Sequence, residues 1–387
     1  MAFDFISAQL QQRKEDGLYR QSRITQNKQG RYIDIAGKRY LNFSSNDYLG
    51  LASDPALIAA WQDGATKYGV GSGGSYLVTG YNQAHHELSE QLKSWLGVEA
   101  IALFSSGYSA NQAIIKLLLD KNSLLLQDKL NHASLMEAGS LSASKMLRFK
   151  HNDVDHLSSL LAKHQNPNTL TITEGVFSMD GDQAPISELL IQTQQRNSWL
   201  MVDDAHGLGV LGKDGQGSLD ESGEKNSSAQ ILMATFGKAL GVGGAFVAGS
   251  QDFIDYLNNF SKPYIYTTGL PPAMAYTISC AAKIAETEQW RRDKLFDLIN
   301  LFKQLAKAKG ILLSESNTAI QPLIIGDSKK ALSIAQQLQR LGFWVTAIRP
   351  PTVPVSTARL RITLTTSHEK QDISDLINAI STILSEY

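Results

Sequence analysis

The sequence predicts an α/β protein with a mainly parallel sheet between helices and a smaller α+β domain at the C-terminal end. Between about residues 100 and 260, short apolar segments typical of strands alternate with longer helical patterns. Strands that are apolar along their whole length are typical of parallel sheets covered by helices on both faces. The chain has 387 residues, 43% of them hydrophobic, which is enough for two or three domains with sizeable cores.

Three regions are expected along the chain. They are an N-terminal arm with short strands (1–45), a large domain (46–270) and a C-terminal α+β domain with linking helices (271–387). In the large domain, apolar strands separated by helices are predicted at 101–104, 123–127, 145–149, 169–176, 199–203, 231–235 and 245–249.

The C-terminal region combines strand and helix patterns. Strands are predicted at 320–325 and 358–365, with one helix near 329–341 and another at the end of the chain. Thr366 and Glu369 have the spacing of a capping box, which predicts the start of that last helix.

The composition excludes several classes of protein. Lys and Arg total 36 and Asp and Glu total 37, so no strongly basic surface for nucleic acid or an anionic membrane is expected. Cys280 is the single cysteine, so there is no internal disulfide, and no Cys/His cluster has zinc spacing. The N-terminal residues do not resemble a signal peptide, and the longest nearly uncharged apolar stretch, 239–249, is too short to span a membrane. We therefore expect a soluble cytoplasmic protein without a metal.

Lys238 follows the predicted strand 231–235 in a segment rich in glycine. No acidic residue lies within five positions of it on either side. A lysine in apolar surroundings loses the solvation of its ammonium, and the uncharged amine can then form a Schiff base. The alternative is a charged lysine on an exposed turn.

Other chemically active residue types follow strands of the same predicted sheet. Asp203 ends the strand 199–203, and His206 comes three residues later, at the edge where ligands of open α/β sheets bind. Such a carboxylate can hold a pyridine nitrogen protonated, although paired acids at a strand end can also be solvated or cap a helix. The turn at Gly107 and Tyr108 joins a strand to a helix, which suits a phosphate; the alternative, which the turn taken alone favours, is an ordinary strand-to-helix connection.

Two glycine motifs are rejected. Residues 207–212 spell GxGxxG, and residues 207–213 spell the GxxxxGK of a P-loop. Both motifs need a glycine turn that opens a helix, but the following segment, KDGQGS, is too polar and too glycine-rich for one. Asp214 also occupies the position of the Ser or Thr that would hold magnesium. We expect no dinucleotide or P-loop site here.

Three further features are ambiguous when taken alone. His132 opens a helix and can either cap it or stack on a planar cofactor. Ser178 lies in a polar turn and is a possible partner for a phenolic or phosphate oxygen. Near the C-terminus, Arg349, Arg359 and Arg361 can bind a carboxylate or form a wet strand face, and their spacing does not select one.

Taken in order, these stretches resemble the α-oxoamine synthases, which are pyridoxal-phosphate (PLP) transferases of fold type I. The resemblance runs from LNFSSNDYLG (41–50) through the TFGK motif (235–238) to AIRPPTVP (347–354) and ARLR (358–361). It is strongest to the branch that acts in biotin synthesis. It implies a PLP cofactor and a homodimer with active sites between subunits.

The resemblance also implies roles for individual residues. Lys238 is expected to be the Schiff-base lysine, Asp203 the partner of the pyridine nitrogen and His206 the partner of the ring hydroxyl. The other implied cofactor contacts are His132, which would stack on the ring, Gly107, Tyr108, Thr235 and Ser178, with Thr267 and Thr268 reaching the phosphate of the partner subunit. The implied substrate contacts, besides His132, are Asn46 and Arg361 at the amino-acid carboxylate, and Arg20 and Thr352. The catalytic set is expected to be Lys238, His132, Asp203 and His206.

The expected reaction is a decarboxylative condensation of L-alanine with pimeloyl-CoA or pimeloyl-acyl carrier protein. One alternative is a branch of the family that uses glycine, such as 2-amino-3-ketobutyrate CoA ligase or 5-aminolevulinate synthase. These branches carry an AGGTR-like segment where this chain has GSGGSY (71–76). Another alternative is a catalytically silent partner subunit, which is expected to lack the lysine that this chain has at position 238.

Overall fold

The computed structural model describes residues 2–387. The strands are, in chain order, β1 (Tyr32–Ile35), β2 (Lys38–Asn42), β3 (Ala100–Phe104), β4 (Leu124–Asp128), β5 (Lys145–Phe149), β6 (Thr169–Glu174), β7 (Trp199–Asp203), β8 (Ile231–Thr235), β9 (Ala245–Gly249), β10 (Ile320–Gly326), β11 (Phe343–Trp344), β12 (Thr346–Ile348) and β13 (Ala358–Thr363). The α-helices are α1 (Phe5–Glu15), α2 (Pro55–Tyr68), α3 (Gln83–Leu96), α4 (Gly107–Leu118), α5 (Ala133–Leu141), α6 (Val154–Lys163), α7 (Ile186–Gln195), α8 (Ser218–Glu221), α9 (Gln251–Phe260), α10 (Lys262–Ile265), α11 (Pro272–Thr287), α12 (Gln289–Ala308), α13 (Ser328–Arg340) and α14 (Lys370–Leu384).

The chain forms two compact units. Of the described residues, unit 1 comprises 2–46, 179–181 and 293–387, and unit 2 comprises 47–178 and 182–292. This division differs from the expected regions in two ways: the N-terminal arm groups with the C-terminal region, and helix α11 groups with the large sheet. Both differences involve partners that are distant along the chain, which local patterns do not reveal.

Unit 2 is built on a seven-stranded sheet with the strand order β3-β9-β8-β7-β6-β4-β5. Strands β5, β4, β6, β7 and β8 pair in parallel, whereas β9 is antiparallel to both of its neighbours. The predicted, mainly parallel sheet is therefore confirmed, with one reversed strand. One face of the sheet packs against helices α4, α5 and α9, through side chains that include Leu125, Ile172, Met201, Ile231 and Val247.

Unit 1 is the smaller α+β part. It contains two three-stranded sheets, in the orders β1-β2-β11 and β10-β13-β12. The final helix starts at Lys370, with Glu369 as its N-cap and Asp372 as the third helical residue of the capping box. The expected pair of Thr366 and Glu369 was therefore wrong by one turn, since Glu369 caps the helix and is not its third residue.

The rejected glycine motif does not open a long helix. Lys213–Gly215 form a single 3₁₀ turn, and the next α-helix, Ser218–Glu221, has four residues. The glycines instead allow close packing around a buried acid, because a Cβ on Gly207 or Gly217 would collide with the carboxylate of Asp204. Among residues 2–387, no helix is both long and apolar enough to cross a membrane, and no cluster of His, Cys, Asp and Glu could hold a metal ion.

Candidate active site

Unit 2 contains a pocket of about 180 Å³ at the carboxyl ends of its parallel strands. Its lining includes seven of the residues expected from the sequence: Gly107, Tyr108, His132, Asp203, His206, Thr235 and Lys238. It also includes Asn111, Ser134, Glu174, Ala205 and Met233, which the sequence analysis did not select. The position follows from the topology, because parallel strands end at one edge and their connecting loops meet there.

Asp203 is the buried acid at the end of β7. Asp203 is 4% exposed. Its Oδ2 accepts a hydrogen bond of 2.8 Å from Asn111 Nδ2, and its Oδ1 accepts one of 3.1 Å from the backbone N–H of Ala205. These donors stabilise a negative charge at this position and hold the carboxylate in a defined orientation.

A chain of hydrogen bonds joins Asp203 to His132. Asn111 Nδ2 also donates to Ser134 Oγ over 3.0 Å, and that oxygen lies 2.8 Å from His132 Nδ1. The backbone N–H of Ser134 donates to the same Nδ1 over 3.2 Å. Because Nδ1 accepts this hydrogen bond, the neutral ring carries its proton on Nε2. Burial lowers the pKa of His132, which favours the neutral form.

The lysine lies in a short loop between β8 and β9. Thr235 Oγ1 donates to Gly244 O over 2.8 Å, and Phe236 N–H donates to the same oxygen over 2.9 Å. A further turn closes where Gly241 N–H donates to Lys238 O over 2.9 Å. Gly241 has a φ of +67°, and a Cβ there would collide with the backbone at 51–52, so this position requires glycine. The loop thus presents Lys238 at the pocket.

An anion-binding element lies on another side of the pocket. Helix α4 begins at Gly107 after β3, with Ser106 as its N-cap, accepting from the N–H of Ser109 over 3.2 Å. The first N–H groups of a helix carry partial positive charge and suit a phosphate. Gly107 and Tyr108 both line the pocket, so this helix N-terminus faces it.

Glu174 is the most consequential residue that the sequence analysis missed. It ends β6, is 3% exposed, and its Oε1 is buried with no hydrogen-bond partner among residues 2–387. Burial, and next the charge of Asp203, raise the pKa of Glu174 well above its ordinary value. The available signal was an acid at the end of a buried strand. Asn111 could have been found because it lies four residues after Gly107, on the same face of the helix.

The remaining expected residues lie elsewhere. Ser178 is buried in the turn after β6 but does not line the pocket. Thr267 and Thr268 are exposed and do not line the pocket either. In unit 1, Arg361 donates to Asn46 Oδ1 over 3.0 Å, and Arg20 donates to Thr352 Oγ1 over 3.0 Å. The structure therefore joins four of the five expected substrate residues in two pairs, and the fifth, His132, lines the pocket.

The three C-terminal arginines are distinguished by their partners. Arg359 donates to the carboxylate of Asp180 and, over 3.1 Å, to Thr357 O. Arg349 donates to Gly17 O, and burial lowers its pKa. Arg361 contacts Asn46 instead.

Comparison with known proteins identifies the chain's relatives. The family model for class I and II aminotransferases matches residues 38–380. An 8-amino-7-oxononanoate synthase from Vibrio atlanticus is 50% identical over 376 residues, covering 97% of this chain and 92% of the relative. One from Photobacterium profundum is 50% identical over 385 residues, covering 98% of this chain and 97% of the relative.

This chain belongs to the 8-amino-7-oxononanoate synthases, within the class I and II aminotransferase family. A solved 8-amino-7-oxononanoate synthase from Francisella tularensis is 28% identical, with a TM-score of 0.79, covering 90% of this chain and 98% of that one. A serine palmitoyltransferase from S. paucimobilis, solved with bound PLP, is 27% identical, with a TM-score of 0.93, covering 99% and 98%. The fold is PLP-dependent fold type I.

The cofactor of this family is PLP, and the residues of the pocket fit it. A carboxylate for a ring nitrogen, a lysine for an aldehyde and a helix N-terminus for a phosphate surround one cavity. Asn111 Oδ1 and Glu174 Oε1 are buried polar atoms without a partner among residues 2–387, which indicates a polar ligand. The names of these relatives also support the biotin branch of the α-oxoamine synthases over the branches that use glycine.

Proposed function

We propose that the chain condenses L-alanine with a pimeloyl thioester, releasing CO₂ and the thiol carrier and forming 8-amino-7-oxononanoate in biotin biosynthesis. The observation that carries the proposal is 50% identity to 8-amino-7-oxononanoate synthases over nearly the whole chain, combined with Lys238 and Asp203 in one pocket. Its expected place of action is the cytoplasm, in keeping with one free cysteine, Cys280.

The pocket residues have complementary roles in this proposal. When bound, PLP supplies an electron sink for the negative charge that develops at the α-carbon of alanine. Asp203 holds a proton on the pyridine nitrogen, and the neutral ring of His132 stacks on the cofactor. The N–H groups at Gly107 and Tyr108, with Thr235, bind its phosphate. Ser178 is a further cofactor contact, and His206 contacts the ring hydroxyl.

Lys238 would hold the cofactor through its amine and would also move the proton of the reaction. With alanine bound, the Lys238 amine would accept the α-proton, and the α-carbon would form a bond to the thioester carbonyl carbon as the thiolate leaves. The alanine carboxylate is then lost as CO₂, and a proton returns to the same carbon. Arg361 and Asn46 bind that carboxylate before it leaves, and Arg20 and Thr352 contact the substrate.

The main experiment compares substrates on the purified holoenzyme. Turnover is measured with pimeloyl-CoA, acetyl-CoA and succinyl-CoA, each with L-alanine and with glycine, and with pimeloyl-acyl carrier protein to identify the carrier. The proposal requires pimeloyl thioester with alanine to be the preferred pair. Preference for glycine with a short acyl-CoA would contradict it. Lys238→Ala should lose essentially all turnover, and borohydride should fix the pyridoxyl group at residue 238 in the unsubstituted enzyme.

We also propose a homodimer whose active sites use both subunits. Val70, Val78 and Tyr266 are 81%, 77% and 80% exposed, and such side chains are commonly covered by a partner. Thr267 and Thr268 directly follow Tyr266, and we propose that they reach the phosphate of the PLP bound in the partner subunit. Subunits carrying Lys238→Ala are co-expressed with subunits carrying Thr267→Val and Thr268→Val. Recovered activity in the mixed dimers supports shared sites, whereas inactive mixed dimers of normal size contradict them.

A further inference from the structure

Two carboxyl groups lie side by side in the PLP pocket. Glu174 and Asp203 are directly paired residues at the ends of the parallel strands β6 and β7, so their side chains leave the sheet on the same face. Both line the pocket, and they are 3% and 4% exposed. Two neighbouring acids in a site with little water do not both ionise readily, since each charge opposes the other.

The hydrogen bonds assign the negative charge to Asp203. Both of its oxygens accept a donor, from the amide of Asn111 over 2.8 Å and from the N–H of Ala205 over 3.1 Å. Glu174 Oε1 has no donor among residues 2–387. A buried ionised oxygen without a donor is costly, whereas a protonated carboxyl can supply a hydrogen bond itself.

The groups around Glu174 include some that favour its ionisation and some that oppose it. Burial and the charge of Asp203 oppose its ionisation, whereas the ammonium of Lys238 and the backbone N–H groups of His132 and Ser178 favour it. The opposing effects outweigh the favourable ones, so the pKa of Glu174 is raised well above its ordinary value.

We propose that the pair holds one negative charge, carried by Asp203, and that Glu174 is a neutral acid that donates a hydrogen bond to an anionic oxygen in the pocket. That oxygen belongs to the bound PLP or to the carboxylate of the amino acid. A neutral Glu174 lets an incoming carboxylate approach without repulsion, while Asp203 alone balances the protonated ring nitrogen. The inference requires PLP but is independent of which acyl donor is used.

The first test is infrared spectroscopy of the holoenzyme at neutral pH. The difference spectrum between the unsubstituted protein and Glu174→Gln should contain the C=O band of a protonated carboxyl and no carboxylate band. The difference spectrum with Glu174→Ala gives the same information, so failure of one variant to fold leaves the test intact. Glu188→Gln, at an exposed helix position, is the matched control and should remove a carboxylate band. A carboxylate band lost from Glu174→Gln or Glu174→Ala overturns the proposal.

The second test follows the visible absorbance of bound PLP as a function of pH. Glu174→Gln replaces one neutral donor with another, so the midpoint of the lysine-linked form should hardly move. If Glu174 were ionised, removing its charge would lower the midpoint by about one pH unit or more. That result would overturn the proposal even if the substrate assignment were correct.

The affinities identify the oxygen that accepts the hydrogen bond. Glu174→Ala should weaken binding by roughly five- to tenfold relative to Glu174→Gln, the loss of one hydrogen bond to an anion. A weaker affinity for PLP itself assigns the acceptor to the cofactor. A weaker affinity for L-alanine alone, measured on the holoenzyme, assigns it to the amino acid. Equal affinities of the two variants for both ligands overturn the donor role.

Discussion

The hydroxyl of Tyr48 lies 2.7 Å from Nδ1 of His206. Tyr48 is 1% exposed and His206 is 7% exposed, so water does not compete for this hydrogen bond. The contact holds the imidazole ring of His206 through Nδ1. Tyr48 belongs to the motif LNFSSNDYLG. Because its hydroxyl contacts Nδ1, its side chain orients the histidine that we propose for the ring hydroxyl of PLP.

Removing the Tyr48 hydroxyl should impair catalysis while the protein stays folded. In Tyr48→Phe, loss of a hydrogen bond worth about 1 kcal/mol is expected to lower kcat/KM by roughly fivefold. The absorbance spectrum of bound PLP should also change its pH dependence, since His206 loses its fixed orientation. Tyr264→Phe, which alters another buried tyrosine of unit 2 that does not line the pocket, is the matched control and should change neither property. Equal kinetics and spectra for the two variants would argue against the positioning role.

Replacing Arg361 should weaken binding of the amino acid. Its guanidinium donates to Asn46, and both are proposed to hold the substrate carboxylate. In Arg361→Gln, we expect the KM for L-alanine to rise roughly tenfold to a hundredfold, the effect of losing charge-assisted hydrogen bonds. Arg359→Gln is the comparison, because Arg359 is paired with Asp180 and should affect thermal stability without changing this KM. The assignment fails if the two variants bind alanine alike.

The stabilisation that the ion pairs of His151 provide should be lost at alkaline pH. Nδ1 of His151 lies 2.9 Å from Asp128 and its Nε2 lies 2.7 Å from Asp182. Burial lowers the pKa of His151, but the two carboxylates outweigh it and raise the pKa to about 10. The stabilisation is thus complete below about pH 6.5, the ordinary value, and is lost as the pH rises towards 10.

Urea unfolding of the unsubstituted protein and His151→Gln at several pH values tests this. The free energy of unfolding should differ most between them near pH 6 and least near pH 10. His86→Gln, at an exposed position, should behave like the unsubstituted protein throughout. A difference that stays constant with pH would show that the ion pairs do not provide the stabilisation.

Gly217→Ala should destabilise unit 2 strongly. Gly217 has a φ of +107°, and an added Cβ would collide with Asp204, which accepts from the N–H of Ser218 over 2.8 Å and from its hydroxyl over 2.5 Å. We expect a loss of about 2–3 kcal/mol in the free energy of unfolding. Gly223→Ala is the control, since Gly223 also has a positive φ but an added Cβ meets nothing within 4 Å. It should cost about 1 kcal/mol. Equal losses would mean that the collision is unimportant.

Much of the fold and part of the site could be predicted from the sequence. The strands at 145–149, 199–203, 231–235 and 245–249 were predicted with the bounds that the structure gives, because their apolar runs are bounded by turn residues. Asp203 and Lys238 were selected because they lie at or just after the ends of predicted strands, whereas the resemblance to the α-oxoamine synthases implied most of the other cofactor contacts. Glu174 was missed although it occupies such a position, because a single acid at the end of a strand does not reveal that Asp203 lies beside it.

The sequence by itself determined the strand and helix pattern of the large sheet and the edge of that sheet at which Asp203 and Lys238 lie. These properties depend on residues within a few positions of each other. Only the tertiary structure decided that β9 runs against its neighbours, that residues 2–46 group with the C-terminal region, and which C-terminal arginine contacts Asn46. Likewise, only the folded chain brings Asn111 to Asp203 and Tyr48 to His206, since hydrogen bonds depend on distance in space and not on separation along the chain.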